Sequence, residues 1–349
     1  MNQNNENFNE SINPDFKAKK SLMRSVDEYV EGIVSGNRTI LSQAITLIES
    51  SREDHKELSR EILENCLDRT GNSVRIGITG VPGVGKSTFI DALGIDRIVK
   101  GDKIAVLTID PSSSLSKGSI LGDKTRMEAL SVHPDAFIRP SPASGTLGGV
   151  ARKTREALLL CEAAGFNIIL IETVGVGQSE TAVHSMVDFF LVLMLTGAGD
   201  ELQGIKRGIM EMADMIAINK ADGANLDSAK RAVQQIQNAL ALFSDRPSGW
   251  KPPVVMCSAM EGSGIIELWE KIENYVHQSR KSGYFVQKRK VQSIDWMVET
   301  IEQQLKEMFY KHPDVKRHLM DFENKVNEGT ISSFKAASEL IKLFESKKS

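Results

Sequence analysis

Glycine recurs at positions 80, 83 and 85 in the run Gly80-Val81-Pro82-Gly83-Val84-Gly85-Lys86-Ser87-Thr88, and a lysine and two hydroxyl residues stand immediately behind the last glycine. The spacing is G-x-x-x-x-G-K-S/T, and each residue type in it suits one task. Glycines admit backbone conformations and close approaches that a side chain blocks, so successive N–H groups at a helix start can surround a phosphate. Lys86 offers a point charge to the β and γ phosphates of a nucleotide. Ser87 offers a compact hydroxyl to Mg²⁺, which keeps several waters and takes few hard oxygen ligands. A Gly-rich turn without consequence is the competing reading. It fits poorly, because an apolar run at 74–79 precedes the loop and a helical pattern follows it.

Base identity is written in Asn219-Lys220-Ala221-Asp222. An aspartate accepts two hydrogen bonds from the N1–H and exocyclic amine of guanine, and adenine presents no such donor pair. Asn219 is expected to bond the base edge, and the Lys220 stem to cover the ring while its ammonium stays wet. Cys257-Ser258-Ala259-Met260 follows the next apolar run, where small residues let a backbone N–H reach the guanine oxygen. An N-K-x-D match alone is weak, since turns favour Asn and Asp; its order and spacing behind the phosphate loop carry the argument.

Three acids, Asp110, Asp123 and Glu172, stand at or near the ends of apolar runs as candidate metal and γ-phosphate groups, Asp123 also as a catalytic one. Singly, each also reads as a helix cap or a solvated loop acid, but three at the sheet edge that carries the phosphate loop outweigh that reading. The Gly-, Ser- and Thr-rich stretches 111–122, 141–149 and 197–208 are long for a compact domain and read as switch loops that a γ-phosphate orders.

These residues need a scaffold that gathers them. Short apolar runs at 74–79, 104–110, 136–139, 168–172, 189–195, 215–219 and 254–257 alternate with amphipathic stretches. Runs apolar on both faces predict a mainly parallel, doubly wound α/β sheet of the P-loop GTPase kind, with ligands at the carboxyl ends of its strands. Before it, Ile40, Leu41, Ala44, Ile45 and Ile48 behind an Asn37 cap, then Leu58, Ile62, Leu63, Cys66 and Leu67, predict two helices. After Gly283, stripes at Ile294, Met297, Val298, Ile301, Leu305, Met308 and Phe309, and at Phe334, Ala337, Leu340, Ile341 and Phe344, predict a helical arm. The expected organisation is a tail at 1–21, a helical extension at 22–70, a nucleotide-binding domain at 71–283 and an arm at 284–349. The arm either caps the core or builds a homodimer.

Composition narrows the classes. With 41% hydrophobic and 26% charged residues and a net charge of −3 over 349 residues, the chain has the balance of an ordinary globular protein, which argues against a nucleic-acid partner. Cys66, Cys161 and Cys257 are far apart and suggest neither disulfides nor a metal set; His312 and His318, the nearest histidine pair, lack a third ligand. No apolar run approaches eighteen residues, so no membrane span is expected. The first twenty residues carry Glu6, Glu10 and Asp15 and no apolar core, which reads as a tail on a cytoplasmic protein.

The motifs in order, the P-loop, Ile109-Asp110-Pro111-Ser112-Ser113, Gly122-Asp123-Lys124-Thr125-Arg126-Met127, Glu172-Thr173-Val174-Gly175-Val176-Gly177-Gln178, the run from Gly197 to Lys206, and Asn219–Asp222, closely resemble the MeaB/ArgK family from about residue 22 to the end. That resemblance implies a GTPase chaperone, using GTP/GDP and Mg²⁺, which gates adenosylcobalamin delivery to methylmalonyl-CoA mutase or a related mutase and protects or rescues it, as a homodimer through the C-terminal arm. It also implies that Ser87, Asp110, Asp123 and Glu172 serve Mg²⁺ and the switches, and that 197–207 is a partner-responsive loop with Lys206 as its candidate catalytic group. One departure stands out. The usual Asp-x-x-Gly is here Glu172-x-x-Gly175, with Gln178 three residues on, so weak intrinsic turnover raised by a partner is expected. A P-loop kinase, a nickel-insertion GTPase and a GTP-binding scaffold are the competing readings.

Overall fold

The computed structural model describes residues 24–109, 126–141, 147–173, 179–196, 207–244 and 246–345. The expected tail at 1–21 lies outside them. Seven strands, β1 Val74–Gly80, β2 Ile104–Ile109, β3 Ala136–Ser141, β4 Ile168–Thr173, β5 Phe189–Met194, β6 Met215–Ile218 and β7 Val254–Met256, pair in the order β3-β2-β4-β1-β5-β6-β7. Every pairing is parallel. The cause is visible in β2, whose sequence IAVLTI is buried at every position. Alternate residues serve opposite faces: Ile76, Ile78, Val106, Leu170 and Leu191 enter one core, and Leu107, Ile169, Ile171, Phe190 and Val192 the other. A sheet apolar on both sides must be covered on both.

The helices in chain order are α1 Val26–Val34, α2 Arg38–Glu49, α3 Glu53–Cys66, α4 Lys86–Val99, α5 Glu128–Val132, α6 Leu147–Ala163, α7 Ser179–His184, α8 Arg207–Met212, α9 Leu226–Leu240, α10 Ile265–Lys281, α11 Tyr284–Lys311, α12 Pro313–Asn327 and α13 Ser333–Glu345. One core holds side chains of α4, α5 and α10, the other those of α6, α7, α8 and α9. Tyr29, Ile33, Leu41, Ile45 and Ile62 of the first three helices share the buried cluster of α6, so these helices form an outer layer on one face. Arg139 of β3 ties that layer down through an ion pair with Glu49.

Two helices escaped the reading of the sequence. α1 opens on a capping box in which the Ser25 hydroxyl accepts from the Glu28 N–H and the Glu28 carboxylate accepts from the Ser25 N–H. α12 starts at Pro313, where the missing N–H costs nothing. Two expected loops are also shorter than expected, because α6 begins at Leu147 and α8 at Arg207. No helix among the described residues is long and apolar enough to cross a membrane.

Candidate functional site, a nucleotide cleft at the carboxyl end of the sheet

The phosphate loop leaves β1 and ends at Gly85, which caps α4 in the left-handed region at φ 93°. Two of its glycines are sterically required. A Cβ on Gly80 would stand 2.4 Å from Leu193 O, and one on Gly85 2.8 Å from Asn219 Nδ2. Val84 is fully buried and Val81 packs against the core, so these two hold the loop while its backbone stays exposed to the cleft side. Gly85 contributes no side-chain cap, which leaves the first N–H groups of α4 for an anion.

Lys86 is only 9% exposed and donates to Gly80 O at 2.8 Å and Val81 O at 3.3 Å. Burial pulls its ammonium below the ordinary value, against the opposing charges of Glu172 and Glu180. The Ser87 hydroxyl donates to Glu172 Oε1 at 3.1 Å. Glu172 lies at the end of β4, level with Ile78 of β1 and Thr108 of β2, and the adjacent Thr173 hydroxyl bonds that of Thr79 at 2.9 Å. Strand register thus sets the distance between the carboxylate and the phosphate loop.

The base-recognition segment follows β6. Asn219 is 1% exposed; its Nδ2 donates to Val84 O at 2.8 Å, and its Oδ1 accepts from Ala259 N at 3.1 Å. The amide thus braces the phosphate loop against the loop after β7, and its Nδ2 carries a second N–H that suits the expected bond to the base edge. The same contact ties the Ala259 N–H of the 257–260 segment to Asn219. Lys220, the one described non-glycine residue with positive φ (57°), stretches back to donate to Gly83 O at 2.9 Å, which lays its stem across the gap. The Ser258 hydroxyl donates to Asp222 Oδ2 and orients that carboxylate.

Most of these pieces line one cleft of about 930 Å³; Asp222 stands outside its lining, joined to it through Ser258. Pro82, Gly83, Gly85, Lys86, Ser87 and Thr88 form one wall, and Asn219, Lys220, Ser258, Ala259 and Met260 another, with Glu172 between. Gly80, Val81 and Val84 stand behind the wall as supports. Asp91, Arg126 and Glu128 also line the cleft and were missed. Asp91 carried a signal: it lies one helical turn beyond Ser87 on α4, and its Oδ1 accepts from Leu130 N at 2.8 Å, holding α5 against the site. Asp110, Asp123, Gln178 and Lys206 lie outside the described residues, and no group of three metal-ligating side chains occurs among the described ones.

The cleft fits a nucleoside triphosphate with Mg²⁺. Free helix N–H groups and an ammonium suit the phosphates, an oriented carboxylate suits guanine, and the converging oxygens of Ser87 and Glu172 are the hard donors Mg²⁺ takes. Residues 41–314 match the family described as methylmalonyl-CoA mutase-associated GTPase MeaB. The chain belongs to this family. It is accordingly a P-loop GTPase that converts GTP and water to GDP and phosphate. A probable GTPase of Mycobacterium tuberculosis is 47% identical over 319 residues, 91% of this chain and 95% of the relative. The mitochondrial methylmalonic aciduria type A homolog of Mus musculus is 45% identical over 334 residues, 93% of this chain and 80% of that one. Among solved structures, one described as LAO/AO transport system kinase superimposes with a TM-score of 0.73 at 36% identity, over 93% of this chain and all (100%) of that one.

Proposed function

We propose that this MeaB-family GTPase is a chaperone for methylmalonyl-CoA mutase or a related adenosylcobalamin-dependent acyl-CoA mutase, gating delivery of the cobalamin and protecting or reactivating the enzyme. The observation that carries the reading is the family match over residues 41–314, which includes the whole cleft. Within the cleft, Lys86 gives up Gly80 O and Val81 O to meet the β and γ phosphates, and Asp222, held by Ser258, selects guanine. Ser87 and Glu172, with Asp110 and Asp123, are the residues that would hold Mg²⁺, which when bound offsets phosphate charge. Asp123 and Lys206 complete the catalytic set in this reading.

Turnover is slow in the free protein and rises when the mutase orders the switch segments. The arm supports homodimerisation: Ile294, Met297, Ile301, Leu305 and Met308 of α11 are each about half exposed, an apolar stripe too long for a surface that stays wet. Ile301→Asp is expected to convert the dimer to monomer in sedimentation while guanine binding persists; a wild-type monomer would refute the arm's role. Mixing the protein with a cobalamin-dependent acyl-CoA mutase is expected to accelerate phosphate release. Equal rates under conditions where the two bind would refute the chaperone reading. The kinase reading draws on the P-loop, which kinases share, and on the name given to one solved relative; phosphate release from GTP without any acceptor would argue against it.

A further inference from the structure

Among the described residues, one large apolar side chain is both exposed and part of the cleft lining. Met260 is 83% exposed, and none of the other exposed large apolar side chains belongs to that lining. A lone apolar group on an open surface is ordinary. In a cleft it differs, because a ligand that fills the cleft takes it out of water.

The backbone that carries Met260 is held on both sides. Before it, Cys257 O accepts from Ala221 N at 3.0 Å, the Ser258 hydroxyl donates to Asp222, and Ala259 N donates to Asn219 Oδ1 at 3.1 Å. After it the chain turns back on itself, with Ser258 N donating to Ser263 O at 2.9 Å and Glu261 N to Ser258 Oγ at 3.2 Å. Met260 thus stands on a turn stitched to the base-recognition segment, with its backbone fixed and its thioether free. Lys220, from that segment, reaches across the same cleft to Gly83. The nearest cysteine, Cys257, is 2% exposed, and burial pushes its thiol up to about 12, so Met260 is the sulfur open to reagents at this site.

We propose that Met260 is an oxidation site that tunes nucleotide binding: its thioether covers the guanine ring, bound nucleotide shields the sulfur, and a peroxide that reaches the empty cleft converts it to a sulfoxide that holds the ring less well. In that step the sulfur lone pair takes one oxygen of the peroxide, an S–O bond forms as the O–O bond breaks, and water leaves. Sulfur is oxidised by two electrons and the peroxide is reduced by two. A thioether suits the place because it is unbranched, adapts to a flat ring and makes favourable sulfur–aromatic contacts, whereas the sulfoxide is polar and chiral. The inference rests on the reading of the cleft as a guanine-nucleotide site.

The test treats the full chain with hydrogen peroxide, empty and saturated with GDP and Mg²⁺, and follows each methionine by peptide mass spectrometry. Met260 is expected to oxidise about fivefold more slowly with GDP bound, while Met320 of α12, 72% exposed and outside the cleft lining, oxidises alike in both. Calorimetry on the oxidised chain should then show GDP affinity lowered about fivefold, the scale of one sulfur–ring contact, and methionine sulfoxide reductase should restore it. Met260→Leu has no sulfur at this place, so its own GDP affinity should be the same before and after peroxide. Equal oxidation of Met260 in the empty and GDP-bound chain, an oxidised chain that binds GDP as before, or a loss that persists in Met260→Leu would each overturn the inference while leaving the GTPase reading intact. Failure of the untreated chain to bind GDP would overturn both.

Discussion

The two ends of the sheet are both rich in charge, and they use it differently. At the amino end, Arg75 Nε and Nη2 each meet Glu162 at 2.9 Å, Arg289 meets the Asp188 carboxylate at 2.8 and 2.7 Å, and Arg246 meets Asp214 at 3.2 Å. Burial alone would raise the Glu162 carboxyl, but the bonds and charge of Arg75 outweigh it and hold it below its ordinary value. At the carboxyl end, Lys86, Ser87 and Glu172 face a cleft of about 930 Å³, and Lys86 rests on loop carbonyls. Ionic content therefore does not mark function in this fold. Charges closed on one another hold the arm and the strands together; charges turned toward open volume await a ligand.

Breaking the closed end should give the largest effect. Asp188→Ala leaves Arg289 and the Arg75 N–H without their buried acceptor, and should cost about 3–5 kcal/mol in urea unfolding while guanine selectivity persists in the folded fraction. A loss under about 1 kcal/mol would remove the contrast. Lys86→Ala should do the reverse, lowering GTP affinity in calorimetry by about a hundredfold while changing the unfolding midpoint little; a protein that keeps its affinity would displace Lys86 from the phosphates.

The smallest effect sharpens the comparison through pH. His184 in α7 is pushed from its ordinary 6.5 to about 4, by burial first and then by Lys288 and Arg246. It stays neutral in the fold where the unfolded chain takes up a proton. Its contribution is thus fully present above pH 6.5 and is lost as pH falls toward 4, on the order of 2 kcal/mol. His184→Phe should flatten that slope, and an unchanged slope would assign it to other groups. Asp214, whose carboxyl burial pushes up, works in the opposite sense and stays in place in that comparison.

The phosphate loop and Asn219–Asp222 were legible in the sequence because their chemistry is set by local spacing, and the strands because each is a short apolar run, β2, β4, β5 and β6 buried at every position. What could not be read depends on approach between distant segments. The Asn219 strut needs Val84 O and Ala259 N to converge on it, and the places of Arg126 and Glu128 in the cleft follow from how α5 docks on α4. α1 and α12 were missed for a different reason. α1 is nine residues long, and α12 buries only Val315, so neither writes a strong stripe. The Ser25 and Glu28 capping box was the available signal for α1.

The central claim is that one cleft joins phosphate binding to guanine choice through Asp222. The most direct measurement is steady-state phosphate release by the wild-type protein and Asp222→Asn, each with Mg²⁺ and GTP, xanthosine triphosphate or ATP. An asparagine replaces one acceptor by a donor that suits the xanthine 2-carbonyl, so the wild type should turn over GTP alone and the variant should prefer the xanthine nucleotide by about a hundredfold. Equal use of ATP by the wild type, or an unchanged preference in the variant, would contradict the account.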